Sequence, residues 1–368
     1  MHIGVRSGLC LLALALELSV SAAKGPWDAD VSDFPRLAGE TGDSARIQRA
    51  VAAVGKGGVV WFPRGEYAID EMLVITNQIS LLLHKSAHLK AVKAMPFVLS
   101  YSGGMNEGFD PYSDHVFDRD SDHNLFIRGG NFDGNGLASA AKVMSFRHFT
   151  LADATFRNGR KVGLQLGDPD LPRSVEGGYE MIINNIYIVC KLPGLAGNIG
   201  FYTHIGDSHF TDMVIVDYTI GVRDIHYSNR YTRCHVWGGP VRKAGTTDEY
   251  EYLPNSICFD LCGADTVLDD CYADTAMIGF RIGGDARLFG CAYFNNWLYK
   301  MDNPTVIVHH GGTLLVSGGR FNKTSPHSTL YRHEGTGKLI WRDNHVINFT
   351  SEEVKNIADH VLHSKISW

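Results

Sequence analysis

His209-Phe-Thr-Asp-Met-Val-Ile-Val-Asp217, Arg230-Tyr-Thr-Arg-Cys-His-Val-Trp-Gly238, Thr266-Val-Leu-Asp-Asp-Cys-Tyr-Ala-Asp274 and Arg287-Leu-Phe-Gly-Cys-Ala-Tyr-Phe-Asn295 are four copies of one short pattern. Each places a polar residue or glycine at a bend (Asp212, Arg233, Asp270, Gly290) and follows it with residues of alternating character. The position after the bend holds Met213, Cys234, Cys271 and Cys291; two residues on come Ile215, Val236, Ala273 and Tyr293. Side chains two apart share one face of a strand, so both columns are expected to point inward. A second strand follows most copies, as in Gly221–Ile225, Cys258–Leu261 and Gly279–Ile282. Self-similarity at a period of roughly 20–50 residues marks a solenoid. Because the unit is strand and bend, the coils are predicted to stack into an all-β, parallel β-helix.

The rest of the composition agrees with thin coils and many corners. The chain has 368 residues, 40 glycines and 44% hydrophobic residues. Its formal charge is −6 and no block of Lys or Arg stands out, which argues against nucleic acid as a partner. Residues 1–23 read as an export signal: Arg6, an apolar run Leu9–Leu16, and Ser21-Ala-Ala23 as the cleavage site, with Glu17 out of pattern. The run is shorter than the ~20 residues of a spanning helix. The expected mature protein, residues 24–368, is therefore a single domain, secreted or periplasmic, with no membrane attachment. Without Cys10, six cysteines remain (190, 234, 258, 262, 271 and 291). Three of them fall in one inward column, so a buried stack with at most one or two disulfides is expected. Cys258 and Cys262 lack a second ligand pair, and no metal site is predicted.

Asp43 precedes Ile47, Ala50, Val51 and Val54 at helical spacing, which predicts a helix over about 43–54 with Asp43 as its N-cap. Strand Val59–Phe62 follows. The run Asp43-Ser-Ala-Arg-Ile-Gln-Arg-Ala-Val51, with Gly57-Gly-Val-Val-Trp-Phe-Pro-Arg-Gly-Glu-Tyr67, resembles the opening of the pectate-lyase superfamily, in its rhamnogalacturonase-like and glycoside hydrolase family 28-related branch. That resemblance implies a right-handed parallel β-helix whose N-terminal end is covered by the helix. The cover has a physical reason, since an open solenoid end exposes apolar side chains and unpaired strand edges. Coils are expected over about Val59–Ile347 and a short final helix over 351–363, capped by Ser351. In Ile127–Gly136 the glycines read as a tight corner with Asp133 as its cap. Loops are expected at Tyr101–Asp122, Asp168–Gly178, Lys191–Gly197 and Gly238–Pro254.

The inward columns build the core, so function falls to the outward positions. On the first strand these include Thr155 and Arg157, Tyr187 and Val189, Val214 and Val216, His235 and Trp237, Tyr272 and Asp274. Exposed aromatics in a row suit sugar rings; the same row would also suit a subunit contact or a covering loop. The second strand presents Gln165, Tyr202, Arg223, Asp260 and Arg281, about one per coil. Strands ~4.8 Å apart would then set Asp260 between two arginines. That is either an ion-pair ladder or a strip that grips a sugar carboxylate. His204, Asp207, Asp224, His226 and Arg230 lie nearby in sequence.

The family's catalytic motifs do not transfer. N-T-D, G-H-G and R-I-K are missing; Asp269-Asp270 sits on a different part of the coil, and Arg281-Ile-Gly is not R-I-K. The W-x-D-H and R-x-P-x-x-R segments are also absent. The leading expectation is an exported glycoside hydrolase working by carboxylate acid/base chemistry on a polysaccharide or oligosaccharide. The alternatives are a polysaccharide lyase acting on a uronic-acid glycan and a non-catalytic glycan binder. The catalytic candidates are Asp260, Asp224, Asp274, Arg223 and Arg281. The sugar-contact candidates are Tyr202, His204, His235, Trp237, Tyr272 and Gln165. No cofactor is expected, with Ca²⁺ kept open for a lyase, and a homo-oligomer is an open alternative.

Overall fold

The computed structural model describes residues 25–104, 124–146, 149–170, 178–192, 195, 197–238, 241–242, 250–251, 255–295, 303–323 and 327–358. The proposed signal at 1–23, the loop beyond residue 104, most of the Gly238–Pro254 loop and residues 359–363 lie outside the described residues.

The chain bends where the repeat predicts. Left-handed backbone recurs at Asp153, Asn185, Asp212, Arg233, Asp270, Gly290, Gly318 and Asp343, with φ between 50° and 67°. Gly, Asn and Asp enter this region at least cost. Arg233 is the exception. Its guanidinium is tied to Asp212 of the preceding coil, with Nε donating to Oδ1 at 2.8 Å and a terminal nitrogen to Oδ2 at 2.7 Å. The bends at Asn185 and Asp212 fall inside single strands, Ile182–Val189 and His209–Val216, and the others divide two strands of a 21-stranded parallel sheet; a further strand of the coil enters an 11-stranded sheet. Thr266–Asp269, Tyr272–Asp274 and Ile278–Ile282 form one such coil. The result is a right-handed parallel β-helix with three-sided coils.

Its core is the set of inward columns. Met213, Cys234, Cys271, Cys291, Ile215, Val236, Ala273 and Tyr293 are all buried. Rings in register stack along the axis, as in Phe132 on Phe156 (5.3 Å between centroids) and Phe259 on Phe280 (5.4 Å). The six cysteines of the described residues are all free thiols, and only Cys262 is exposed. Cys234, Cys271 and Cys291 donate to the carbonyls of Phe210, Tyr231 and Leu268 at 3.5–3.6 Å. A thiol stack of this kind fills the narrow coil and still satisfies its weak donors.

Both ends differ in detail from expectation. The first helix spans Ser44–Ala52 and buries Ile47, Ala50 and Val51 over the end of the solenoid. Asp43 stands at the N-cap position without a side-chain capping bond. Its buried carboxylate instead accepts from Arg36, Arg46 and the Ala68 amide, tying the helix to the first coil. The last helix begins at Ser351, but Thr350 caps it: the Glu353 amide donates to Thr350 Oγ1, and Glu353 Oε2 accepts from the Thr350 amide. That reciprocal pair is a capping box. Asp133 does cap its corner, accepting from the Asn135 amide at 2.8 Å and from Asn158 Nδ2 at 3.0 Å.

Candidate functional site

On the 11-stranded sheet the register aligns Lys142, Gln165, Tyr202, Arg223, Asp260 and Arg281 in one row, one residue per strand. Val308 and Arg332 extend it. The alternation that buries Val222, Phe259 and Phe280 turns these positions outward.

Asp260 has no solvent exposure, although it belongs to the outward row. Arg223 Nε donates to its Oδ2 at 2.8 Å. Arg281 grips it with a fork, Nε to Oδ1 at 2.7 Å and a terminal nitrogen to Oδ2 at 2.6 Å. The Cys262 thiol adds a contact to Oδ1 at 3.3 Å. Burial alone would push the Asp260 pKa up, but the bonds and charges of Arg281 and then Arg223 outweigh it and hold it below the ordinary value. The expectation that Asp260 is a general base therefore changes. Its oxygens are spent on the arginines and it cannot touch a ligand, so it positions two guanidiniums. Those side chains remain about 30% exposed (31% for Arg223, 28% for Arg281).

Beside the clamp stand Tyr202, on the strand Ile199–Thr203, and His204, which follows directly after the end of that strand. Tyr202 is half-buried and neighbours Arg223. Burial raises its phenol pKa, and the Arg223 charge opposes that only in part, so the phenol stays protonated. His204 is 7% exposed, and its Nδ1 lies 3.2 Å from the Asp168 carbonyl oxygen. A carbonyl only accepts, so Nδ1 carries the proton and Nε2 keeps its lone pair in the neutral ring. Asp168 also accepts from Lys142 Nζ at 2.8 Å, which ties His204 to the row. Lys142 and Asp168 were missed in the sequence reading. The inward Ala141 and Val143 on either side of Lys142 were the available signal.

The other candidates lie elsewhere. Asp224 follows the outward Arg223 and so points inward. It is fully buried, accepting from the His226 amide, Asn229 Nδ2 and the Tyr231 hydroxyl at 2.9–3.1 Å. Burial pushes its pKa up to about 7 against those bonds. It is a core polar group and cannot meet a glycan. His235, Trp237, Tyr272 and Asp274 belong to the other sheet, on a different side of the coil from Asp260. There His235 stacks on Tyr272 (4.7 Å, 17°) and lies 3.6 Å from the Asp274 carboxylate. Gln165, Tyr202, His204, Arg223, Asp260 and Arg281 are thus brought together, whereas Asp224, Asp274, His235, Trp237 and Tyr272 are not.

A pair of carboxylates for hydrolysis needs a separation of ~5–9.5 Å. Asp168 and Asp170, two carboxylates beside this row, follow a strand three steps from that of Asp260, roughly 14 Å at ~4.8 Å per strand. Among the described residues, no group of three or more His, Cys, Asp or Glu gathers as a metal site.

No protein-family model and no curated protein matches this sequence. Solved structures do match. The mannuronan C-5 epimerase AlgE4 A-module of Azotobacter vinelandii superposes with a TM-score of 0.57 at 17% identity, over 87% of this chain and 96% of that one. The endo-xylogalacturonan hydrolase of Aspergillus tubingensis gives 0.55 at 12% identity, over 86% and 92%. The tailspike of E. coli bacteriophage HK620, solved with a pentasaccharide, gives 0.61 at 12% identity over 88% of this chain. The chain spans 63% of the tailspike and 61% of a similar Geobacillus virus E2 protein. The fold is that of the pectate-lyase-like right-handed β-helix proteins, as the N-terminal resemblance implies.

Proposed function

We propose that this protein is an exported carbohydrate-active enzyme that seats a uronic-acid polysaccharide along the Gln165–Arg281 row and cleaves it by β-elimination. The observation behind this reading is the clamp. Asp260 spends its carboxylate holding Arg223 and Arg281 in place, and their remaining N–H groups can fork onto carboxylates of the glycan. Both guanidiniums reach Asp260 Oδ2, at 2.8 and 2.6 Å, so their heads converge and would meet one stretch of the polymer together.

Elimination requires the uronate carboxylate to be neutralised, a base at C5 and an acid at the leaving oxygen. Arg223 supplies the charge. His204 Nε2 would take the C5 proton. The electron pair then forms the C4–C5 double bond as the C4–O bond breaks, and the protonated Tyr202 gives its proton to the departing glycosidic oxygen. Hydrolysis, the leading expectation from sequence, loses support because Asp260 is engaged, Asp224 is internal and Asp274 is on another side of the coil. Two of the structural neighbours act, by name, on mannuronan and xylogalacturonan, and one of these is a C-5 epimerase. Exchange of the proton at C5 is the step such chemistry would share with elimination.

The test is a panel of mannuronan, guluronan and polygalacturonate with the mature protein. Ultraviolet absorbance from an unsaturated uronide supports the proposal. New reducing ends without that absorbance would mean hydrolysis, and inversion at C5 without cleavage would mean epimerisation. Binding without any change in the glycan would leave a lectin-like role.

A further inference from the structure

The row does not end at Gln165. Beyond it, on the side away from the arginines, lies a hollow of 410 Å³ that Gln165 itself helps to line. It forms where three strands of the same sheet begin, at Phe97, Ser139 and Val162. Its floor is Met95, Pro96, Phe97, Leu137 and Val162, and Arg160 and Lys161 stand exposed at its margin. Lys142, the member of the row next to Gln165, lies over the Phe97 ring, 5.6 Å from its centroid, beside the hollow.

We infer that this hollow is a subsite for a uronic-acid residue bearing an O-acyl group, one to three strand steps from Tyr202 on the side opposite the arginine clamp. The inference rests on the reading of this face as an acidic-glycan site. A bare uronic acid can lay its C–H face on a flat apolar surface, but a hollow receives a group projecting from the ring, and a hydroxyl placed there would be left without partners. An acyl ester replaces one hydroxyl with an apolar group that fits such a floor. The charged margin separates acylation from methyl esterification. A methyl ester removes the sugar's negative charge, whereas O-acylation leaves the carboxylate for Arg160 and Lys161. The position of the hollow gives it a role in choosing substrate rather than in bond breaking.

The test uses O-acetylated mannuronan and O-acetylated polygalacturonate, each beside its saponified counterpart, with binding followed by calorimetry on the whole mature protein. One apolar group in a fitted pocket is worth about tenfold, so the native protein should bind one acetylated polymer about tenfold more tightly than its saponified form. Leu137→Trp, which fills the hollow, should bring the acetylated polymer down to the affinity of the saponified one. Met95→Trp provides the same test if the first variant fails to fold. Equal affinity of the two forms for native protein, or a preference that survives in a folded filled variant, overturns the subsite alone. Failure to bind any of the four polymers overturns both the subsite and the acidic-glycan reading beneath it.

Discussion

Arg281 holds Asp260 through two parallel hydrogen bonds, 2.7 Å from Nε and 2.6 Å from a terminal nitrogen, on adjacent strands of one sheet. Arg223 closes the other side. Three residues distant in sequence thus meet because successive coils repeat one outward slot. The carboxylate is inside the cluster and the cations are at its surface, so this face shows solvent a fixed patch of positive charge.

Asp260→Asn should therefore act on binding more than on chemistry. We expect KM for the uronan to rise on the order of tenfold while kcat falls less, because the arginines lose their anchor. Stability should drop by about 3 kcal/mol, as expected when one member of a buried ion cluster is neutralised. Steady-state kinetics with a denaturation curve checks both. An unchanged KM with a collapse in kcat would return Asp260 to the role of base.

The same substitution should speed labelling of Cys262. Burial first, then the Asp260 charge and contact, pushes this thiol up to about 11, so it reacts slowly at neutral pH despite its exposure. Removing the charge lowers that value and raises the thiolate fraction. Mass spectrometry after timed iodoacetamide treatment should find faster modification of Cys262 in Asp260→Asn, with Cys234, Cys271 and Cys291 protected in both proteins.

Cys271→Ser tests the thiol stack. The Tyr231 carbonyl 3.5 Å from Sγ offers the hydroxyl an acceptor, so the cost should be about 1 kcal/mol, near the low end for burying a hydroxyl. The shift in urea midpoint measures it. A gain in stability, or ready labelling of native Cys271, would contradict the packed column.

Asp224 gives the fold a pH dependence of definite sign. Its folded pKa, about 7, lies above that of an unfolded aspartate. The folded state then binds the proton more tightly, so this group's contribution is most favourable below the unfolded pKa and is lost as pH rises through about 7. Native stability minus that of Asp224→Asn should decline between about pH 4 and 7 and level off above. A difference that grows with pH would mean that the three donors around the carboxylate outweigh its burial.

Much of this was legible because a solenoid repeats its geometry. Once Met213, Cys234, Cys271 and Cys291 are aligned at the bend, alternation alone sends Arg223, Asp260 and Arg281 outward and into register. The same alternation sends Asp224, a catalytic candidate by residue type, inward. What alternation cannot supply is the side of the coil. His235, Trp237 and Tyr272 are outward on their own strands, yet a corner separates those strands from the sheet that carries Asp260. Nor does a pattern of strands say that Arg223 and Arg281 fold over Asp260 and close it off, because that depends on how two long side chains reach. Lys142 and Asp168 escaped because Lys142 joins the row only once its strand is aligned with that of Gln165, and Asp168 lies beyond the end of strand Val162–Leu166, at the start of an expected loop.

The most direct test of the account is the turnover of Tyr202→Phe on the uronan that native protein cleaves best. The phenol contributes one proton to the leaving oxygen, and its removal leaves the ring and the Arg223–Asp260–Arg281 clamp in place. The account predicts that unsaturated-uronide formation falls at least ~100-fold, as for loss of a general acid, with KM and thermal stability near those of the native protein. Native turnover by a folded Tyr202→Phe protein would contradict it.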